Sequence, residues 1–312
     1  MESDPRRPAV GREAVARDPM AEEVFRDPYP STCTPPAGDS DASRLAAEIL
    51  FRMGQLHFDE LVPDAGPYTL NRAASAYERA IAAAATSGSS ASAELRAPAH
   101  YKLAWTYYKQ QRFSAATAEL ISVLRMKAGA DFDKEASTYV AGSLTEVDFV
   151  GPAASEPFIA RADVLDTEHD PAKAEAKLAI GLDRVQDPKI VTQDQPFTAG
   201  VHSALALEYR ELSQHRNAIR VDALYLARWP LETEALSTRF ATASSWETLS
   251  SQKPVDKAAL KSAIAGFAEV EKQGSPGGAW FTARAADPRA LEAAKMLVAT
   301  ATTRRARLRP PP

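Results

Sequence analysis

The segment from His100 to Arg125 (HYKLAWTYYKQQRFSAATAELISVLR) constrains the fold most, because it has the pattern of two consecutive amphipathic helices. Apolar residues recur at helical spacing in both halves, and small residues stand where the two backbones would approach each other. The inward positions are Leu103, Ala104 and Tyr107 in the first helix and Phe113, Ala116, Leu120 and Val123 in the second. Such a hairpin cannot bury its apolar faces alone. The segment therefore predicts further helices packed against it.

The rest of the composition narrows the class of protein. Of 312 residues, 45% are hydrophobic and 25% charged, which is typical of soluble globular proteins. A net charge of −4 gives no overall basic field, so we expect no nucleic-acid partner. The single cysteine, Cys33, excludes an internal disulfide framework. We expect no transmembrane segment and find no readable signal peptide, which predicts a soluble, cytoplasmic protein as the chain is written.

Periodicity and composition divide the chain into six segments. No window alternates apolar and polar residues long enough to predict a strand, so we expect an all-α fold. A helix is predicted to open at Asp170-Pro171 and to run to about Val185. The segments are 1–40, disordered and proline-rich; 41–128, two helix hairpins; 129–197, an irregular helical connector; 198–250, a third hairpin and the following helix; 251–304, C-terminal helices; and 305–312, a basic proline-rich tail.

The hairpins resemble the tetratricopeptide (TPR) repeat, a helix–turn–helix unit of 34 residues. The unit starts near Ala47, Ala97 and Ala199, and the first copy carries a loop insertion. In the third copy Asp222 stands where an aromatic or aliphatic residue is expected. The resemblance implies a TPR-like α-solenoid of antiparallel helix hairpins, interrupted by irregular helices and loops.

Residues 98–250 also resemble a more specific group, the large envelope TPR proteins of gliding, predatory bacteria. The order and spacing of several blocks carry this resemblance: 101–113, 134–149, 187–211 and 218–235, with a weaker block at 277–294. Proteins of this group are usually exported. The resemblance therefore implies the periplasm or cell envelope if the true start lies upstream of Met1.

No arrangement of residues in the sequence indicates catalysis. The histidines at positions 57, 100, 169, 202 and 215 are scattered and lack the spacing of a zinc site. The carboxylates at 145–148 and 168–170 are more simply helix termini than acid–base pairs. Gly274 and Ser275 fit a helix stop rather than a nucleophile elbow. We therefore expect a protein that is not an enzyme and has no cofactor or metal.

A candidate partner site follows from the TPR resemblance, because the first helices of TPR repeats line a groove. Tyr101, Trp105 and Tyr108 stand at i, i+4 and i+7 beside the packing face of their helix. The same phasing adds Phe51, Gln55 and Phe58 from the first repeat and Ser203, Leu207 and Arg210 from the third. Two interpretations stay open: an exposed binding row, or core covered by the irregular helices. The groove lacks the Lys/Asn set that clamps a carboxylate, which favours an apolar or amphipathic segment as partner.

Four functions follow, in decreasing order of support. The first is a non-enzymatic scaffold for protein or peptide partners, in a bacterial cell-envelope assembly. The second is a structural spacer subunit without a peptide groove. The third is a hydrolase or transferase with a site in 145–200 that depends on His169. The last is nucleic-acid binding through the arginines at 304, 305, 307 and 309, which more simply complement the end of the last helix.

Overall fold

The computed structural model describes residues 40–59, 69–87, 90–150, 164–166, 168, 170–252 and 254–309. Within these ranges helices are the only regular elements, which confirms the all-α prediction. Numbered in chain order, the principal helices are α1 Ser40–Phe58, α2 Thr69–Ser87, α3 Ser90–Lys109, α4 Phe113–Met126, α5 Ala130–Leu144, α6 Pro171–Leu178, α7 Ile180–Gln186, α8 Thr198–Glu211, α9 His215–Arg228, α10 Ala235–Ser250, α11 Lys257–Gly274, α12 Ala279–Ala283 and α13 Pro288–Leu308.

Helices that follow each other in sequence pack as antiparallel pairs. The series runs from α1 through α5, passes to α8, and continues through α9, α10 and α11 to α13. Additional contacts join α1 to α3, α5 to α8 and α10 to α13. The first helices of successive pairs are α1, α3, α5, α8, α10 and α13, and the pairs α1–α3, α5–α8 and α10–α13 lie side by side. The short helix α7 contacts α5, α8 and α9, so α6 and α7 take the place of one second helix.

The hydrophobic core is a succession of local clusters. Leu50 and Ala80 belong to the cluster between α1 and α2, and Leu103 to the next, which joins α2, α3 and α4. The largest cluster extends from α3 to α9 and includes Val140. Phe267 belongs to the last, formed by α9 to α13. Because each cluster involves helices that are near in sequence, stability in such a fold depends on contacts between neighbouring units.

The turns between α3 and α4 and between α8 and α9 have the same backbone geometry. Gln111 and Ser213 adopt left-handed conformations, with φ of 60° and 59°. In each turn the N–H of the following residue donates to the carbonyl of a buried tyrosine: Arg112 to Tyr107 at 2.9 Å, and Gln214 to Tyr209 at 2.7 Å. The two turns are 213 − 111 = 102 residues apart, three times 34.

The helix predicted over residues 170–185 is instead two helices, and the prediction of one helix was wrong. It begins as expected, since the Asp170 side chain accepts a hydrogen bond from the Ala172 N–H at 3.0 Å. The break falls at Ala179, where the Tyr209 hydroxyl from α8 donates to the Leu178 carbonyl at 2.6 Å. Gly181 leaves room for this hydroxyl, because a Cβ at that position would lie 2.5 Å from the Tyr209 oxygen. A side chain inserted in this way interrupts the helical hydrogen bonds.

Arg184 of α7 holds the end of α5. Its guanidinium donates to the carbonyls of Leu144 at 2.8 Å, Glu146 at 2.5 Å and Val147 at 3.3 Å. It also lies 4.4 Å from the centre of the Phe149 ring. The last carbonyls of a helix have no partner within that helix. The Arg184 guanidinium supplies hydrogen-bond donors to these carbonyls and thereby joins α7 to the end of α5.

Two predicted boundaries were wrong. α3 begins at Ser90, seven residues before the predicted repeat start near Ala97, and continues through Pro98. The alanine content of this region favours a helix, although Pro98 donates no backbone hydrogen bond. α13 extends to Leu308, into the predicted tail, because Arg305 pairs with Glu271 at 2.7 Å.

Some predictions fall outside the described residues. Residues 1–39 with Cys33, and His169, lie there, so the predictions about them stay predictions. No helix in the described ranges is both long and apolar enough to cross a membrane.

Candidate partner-binding site

The structure places the side chains of Tyr101, Trp105 and Tyr108 along one side of α3, against α5. The Tyr101 ring lies 4.6 Å from that of Phe132, centre to centre. Tyr139 lies 4.3 Å from Trp105 and 6.0 Å from Tyr108. Several of these ring pairs are tilted or edge-on, the geometries that aromatic rings prefer. We call these five residues the aromatic surface.

All five side chains of the aromatic surface are half-buried. They are neither fully exposed, as in the first sequence interpretation, nor covered as core, as in the second. The helix that partly covers them, α5, belongs to the region predicted as an irregular connector. The rings therefore bury one side in the contact between two neighbouring first helices and keep part of their area accessible to solvent.

The space around the aromatic surface is shallow. A crevice too narrow to hold a water molecule lies among the rings, whereas typical small-molecule pockets measure roughly 300–1,000 Å³. Its lining residues are Ala104, Trp105, Tyr108, Leu120 and Tyr139. An open pocket of about 350 Å³ adjoins Phe132 and is otherwise lined by Glu94, Ala97, Pro98, Met126 and Ala128. A narrow crevice along a line of rings suits an extended polypeptide better than a compact ligand.

The candidate residues of the first repeat lie on α1. The Phe51 ring packs 5.7 Å from Tyr77, and Gln55 is half-buried. The Phe58 ring has two ammonium groups of α3 over it, Lys109 at 4.0 Å and Lys102 at 4.9 Å. Phe58 therefore belongs to a contact between α1 and α3, and both cations beside it are already placed on an aromatic ring.

The candidate residues of the third repeat lie on α8 and have different environments. Leu207 is 53% exposed and Ser203 is half-buried. Arg210 pairs with Asp222 of α9, and its Nε donates to Ser245 of α10 at 3.2 Å. α5 lies between α3 and α8 in the series of first helices. The third-repeat residues are thus separated from the aromatic surface, and the Arg210 guanidinium is engaged within the fold.

This polar contact explains the one residue that fitted the repeat pattern poorly. Asp222 is 2% exposed, and its carboxylate accepts from the Arg210 guanidinium and from the Thr242 hydroxyl, the latter at 2.8 Å. Burial raises the pKa of Asp222 to about 6, although Arg210 and Thr242 both oppose this rise. The carboxylate is compatible with the interior because two helices supply its partners.

A carboxylate also stands beside the aromatic surface. Glu135 of α5 is exposed and lies close enough to Tyr101 to affect its titration. Burial raises the pKa of Tyr101, Trp105 opposes the rise, and Glu135 raises the pKa further. Tyr101 therefore stays a neutral hydroxyl near this carboxylate.

The histidines have structural surroundings. His202 is buried, and its Nδ1 lies 2.9 Å from the Thr198 carbonyl oxygen. His100 lies 2.5 Å from a Glu119 carboxylate oxygen. Burial lowers the pKa of His57, of His202 and of His215. Among the described residues, no cluster of three or more His, Cys, Asp or Glu side chains has the arrangement of a metal site.

The sequence reasoning missed part of the aromatic surface. It assigned none of Phe132, Glu135 and Tyr139 to the partner site. The signal was present, since these three residues stand at i, i+3 and i+7 of α5. Neither models of known protein families nor curated protein sequences match this chain.

Proposed function

We propose that this protein is a non-enzymatic TPR scaffold that binds a polypeptide partner through the aromatic surface. The observation that carries the proposal is the set of five half-buried rings on two adjacent first helices, α3 and α5. Tyrosine and tryptophan give a large contact area at low cost in conformational entropy, and they are enriched in binding hot spots. An apolar or amphipathic segment is the partner that such a surface fits.

Two features support the assignment to the TPR class. The α3–α4 and α8–α9 turns share their hydrogen bonds and lie 102 residues apart, a multiple of the 34-residue repeat. Successive first helices contact each other, as the helices that line a TPR groove do: α1 packs on α3, α5 on α8 and α10 on α13. Aromatic rings join α3 to α5, and the hydrogen bond from Arg210 to Ser245 joins α8 to α10. The long α1–α2 connection and the broken helix α6–α7 depart from a uniform array.

The proposal extends to a bacterial cell-envelope assembly, because residues 98–250 resemble envelope TPR proteins of gliding, predatory bacteria. The genomic DNA upstream of Met1 tests this part separately. An in-frame apolar leader is the expected result. An in-frame stop codon directly upstream would remove the support for export while leaving the binding proposal intact.

Substitutions in the aromatic surface test the binding proposal. Trp105→Ala and Tyr108→Ala should each reduce recovery of partners in a pull-down, because each removes contact area from the middle of the surface. Met296→Ala is the matched control, since Met296 is apolar, exposed and distant in the series on α13. Recovery that is unchanged by the α3 variants, or equally reduced by the control, would contradict the proposal.

A second variant separates binding from folding. Thr138 is exposed on α5 three residues after Glu135, a neighbouring position on the helix surface, and Thr138→Arg removes no ring while adding a bulky charge at the edge of the surface. Thermal unfolding should occur at the wild-type temperature, and partner recovery should still fall. A loss of binding only in variants that also melt early would show that the rings serve the fold alone.

The second candidate function is a structural spacer without a peptide groove. One observation favours it: the rings of α3 already contact those of α5, so part of the surface is used between repeats. In that case the protein would contact its assembly through its second helices. Cross-links confined to α2, α4, α9 and α11 would support the spacer, and cross-links to α3 or α5 would support the scaffold.

A further inference from the structure

The aromatic surface contains one charged residue on the same side of α5. Glu135 lies between Phe132 and Tyr139 in the i, i+3, i+7 series, so its side chain projects beside both rings. Glu135 is exposed, and no described lysine or arginine forms an ion pair with it. An accessible carboxylate without a counter-ion thus stands among half-buried rings.

Ring contacts fix the part of the surface beside this carboxylate. The Tyr101 ring lies 4.6 Å from that of Phe132, and the Trp105 ring lies 4.3 Å from that of Tyr139. Rings held in this way lose little conformational freedom when a ligand arrives, which favours binding.

We propose that the aromatic surface binds a cationic side chain, Lys or Arg, of its partner, with Glu135 as the counter-ion. This inference rests on the proposed function and specifies the partner as a basic amphipathic segment. The faces of aromatic rings attract cations, and Trp and Tyr do so more strongly than Phe. A carboxylate beside the rings adds a charge-assisted hydrogen bond.

The neighbouring charges favour a cation over an anion. Glu94 lines the open pocket beside Phe132, and the half-buried Asp133 follows Phe132 directly on α5. Two lysines of α3, Lys102 and Lys109, are placed over the Phe58 ring of α1. Lys134 precedes Glu135 on α5 and points to a different side of the helix, by about 100° per residue. The α5 side of the surface is therefore negative.

Selection from a random 12-residue peptide library tests the inference. Peptides are selected on the full-length wild-type protein and kept only if Trp105→Ala weakens their binding. We expect Lys or Arg to be enriched at one position among apolar residues. Glu135→Gln should weaken these peptides about three- to tenfold in fluorescence polarisation. Glu292→Gln is the control, because Glu292 is exposed on α13 and pairs with Lys295.

Charge reversal provides the sharper result. Selection on Glu135→Lys should replace the basic position by Asp or Glu and keep the apolar positions. Trp105-dependent peptides without a basic position, or equal affinities for wild type and Glu135→Gln, would overturn the inference and leave the proposed function standing. If binding of no selected peptide depends on Trp105, both the inference and the proposed function are refuted. Circular dichroism melting of each variant shows whether a loss of binding arises from unfolding.

Discussion

Arg210→Met should be among the most destabilising single substitutions of a partly exposed side chain in this protein. The Arg210 side chain is 19% exposed, whereas that of Asp222 is only 2% exposed. Methionine keeps most of the aliphatic volume and removes the guanidinium. The Asp222 carboxylate then retains the Thr242 hydroxyl as its hydrogen-bond donor, at 2.8 Å. A buried charge is left without its counter-ion.

The expected loss of stability follows from the difference in burial between the Arg210 and Asp222 side chains. Stranding a buried charge costs about 3–5 kcal/mol in the free energy of unfolding, and the remaining Thr242 bond favours the lower end. Asp222→Leu should cost less, about 1–2 kcal/mol, because Arg210 is able to reach solvent. The double variant should lie within about 1 kcal/mol of wild type, since neither charge is then unpaired. Arg216→Met, which removes a 47% exposed side chain with ion pairs at 3.8 Å, should cost below about 1 kcal/mol.

Urea unfolding followed by circular dichroism measures the four free energies and the coupling between the two positions. The loss in Arg210→Met should shrink on acidification from pH 8 to pH 5. Burial raises the pKa of Asp222 to about 6 in the fold from an ordinary value of 3.8, and removing Arg210 raises it further. Protonation below that pKa removes the stranded charge. Additive losses in the double variant, or a loss that grows at pH 5, would refute this reasoning.

Two further predictions concern packing and local stability. Gly181→Ala should lower the free energy of unfolding by about 1–2 kcal/mol in thermal unfolding, because a Cβ would lie 2.5 Å from the Tyr209 hydroxyl that bonds to Leu178. Tyr209→Phe should reduce that loss, because it removes the hydroxyl. Gly200→Ala, whose Cβ would meet only Ser137 Oγ at 3.6 Å, should raise the free energy of unfolding by about 0.5–1 kcal/mol. In hydrogen exchange, protection should be highest around residues 100–125 and 200–230 and lowest in the terminal helices, because each unit depends on its neighbours; uniform protection along the chain would contradict a serial fold.

The helix hairpins were predictable from the sequence because the information is local. Leu103, Ala104 and Tyr107 repeat at the helical period, and the corresponding residues of α8 recur 102 positions later. The repeat pattern therefore fixes which faces turn inward before any contact between distant residues is known. The same applies to the Asp170 cap, whose side chain bonds to a residue two positions later.

The broken helix α6–α7 depends on a contact that periodicity does not reveal. Nothing between Asp170 and Val185 interrupts the helical pattern strongly, apart from Gly181. The interruption comes from Tyr209, 31 residues beyond the carbonyl that it binds. The groove residues show the same limit, since phasing from α3 alone could not indicate that α5 would bring Phe132 and Tyr139 against them.

Asp222 shows how a departure from a repeat pattern carries information. A carboxylate at an inward position is costly unless partners are supplied, so its presence predicts a compensating group nearby. The sequence offered Arg210 as that group, twelve positions earlier, but the groove phasing assigned Arg210 to partner binding instead. Arg210 and Asp222 form one contact, and this contact joins α8, α9 and α10. Glu135 is the opposite case: its carboxylate lacks an ion-pairing partner within the described fold, and it lies where the binding proposal requires one from outside.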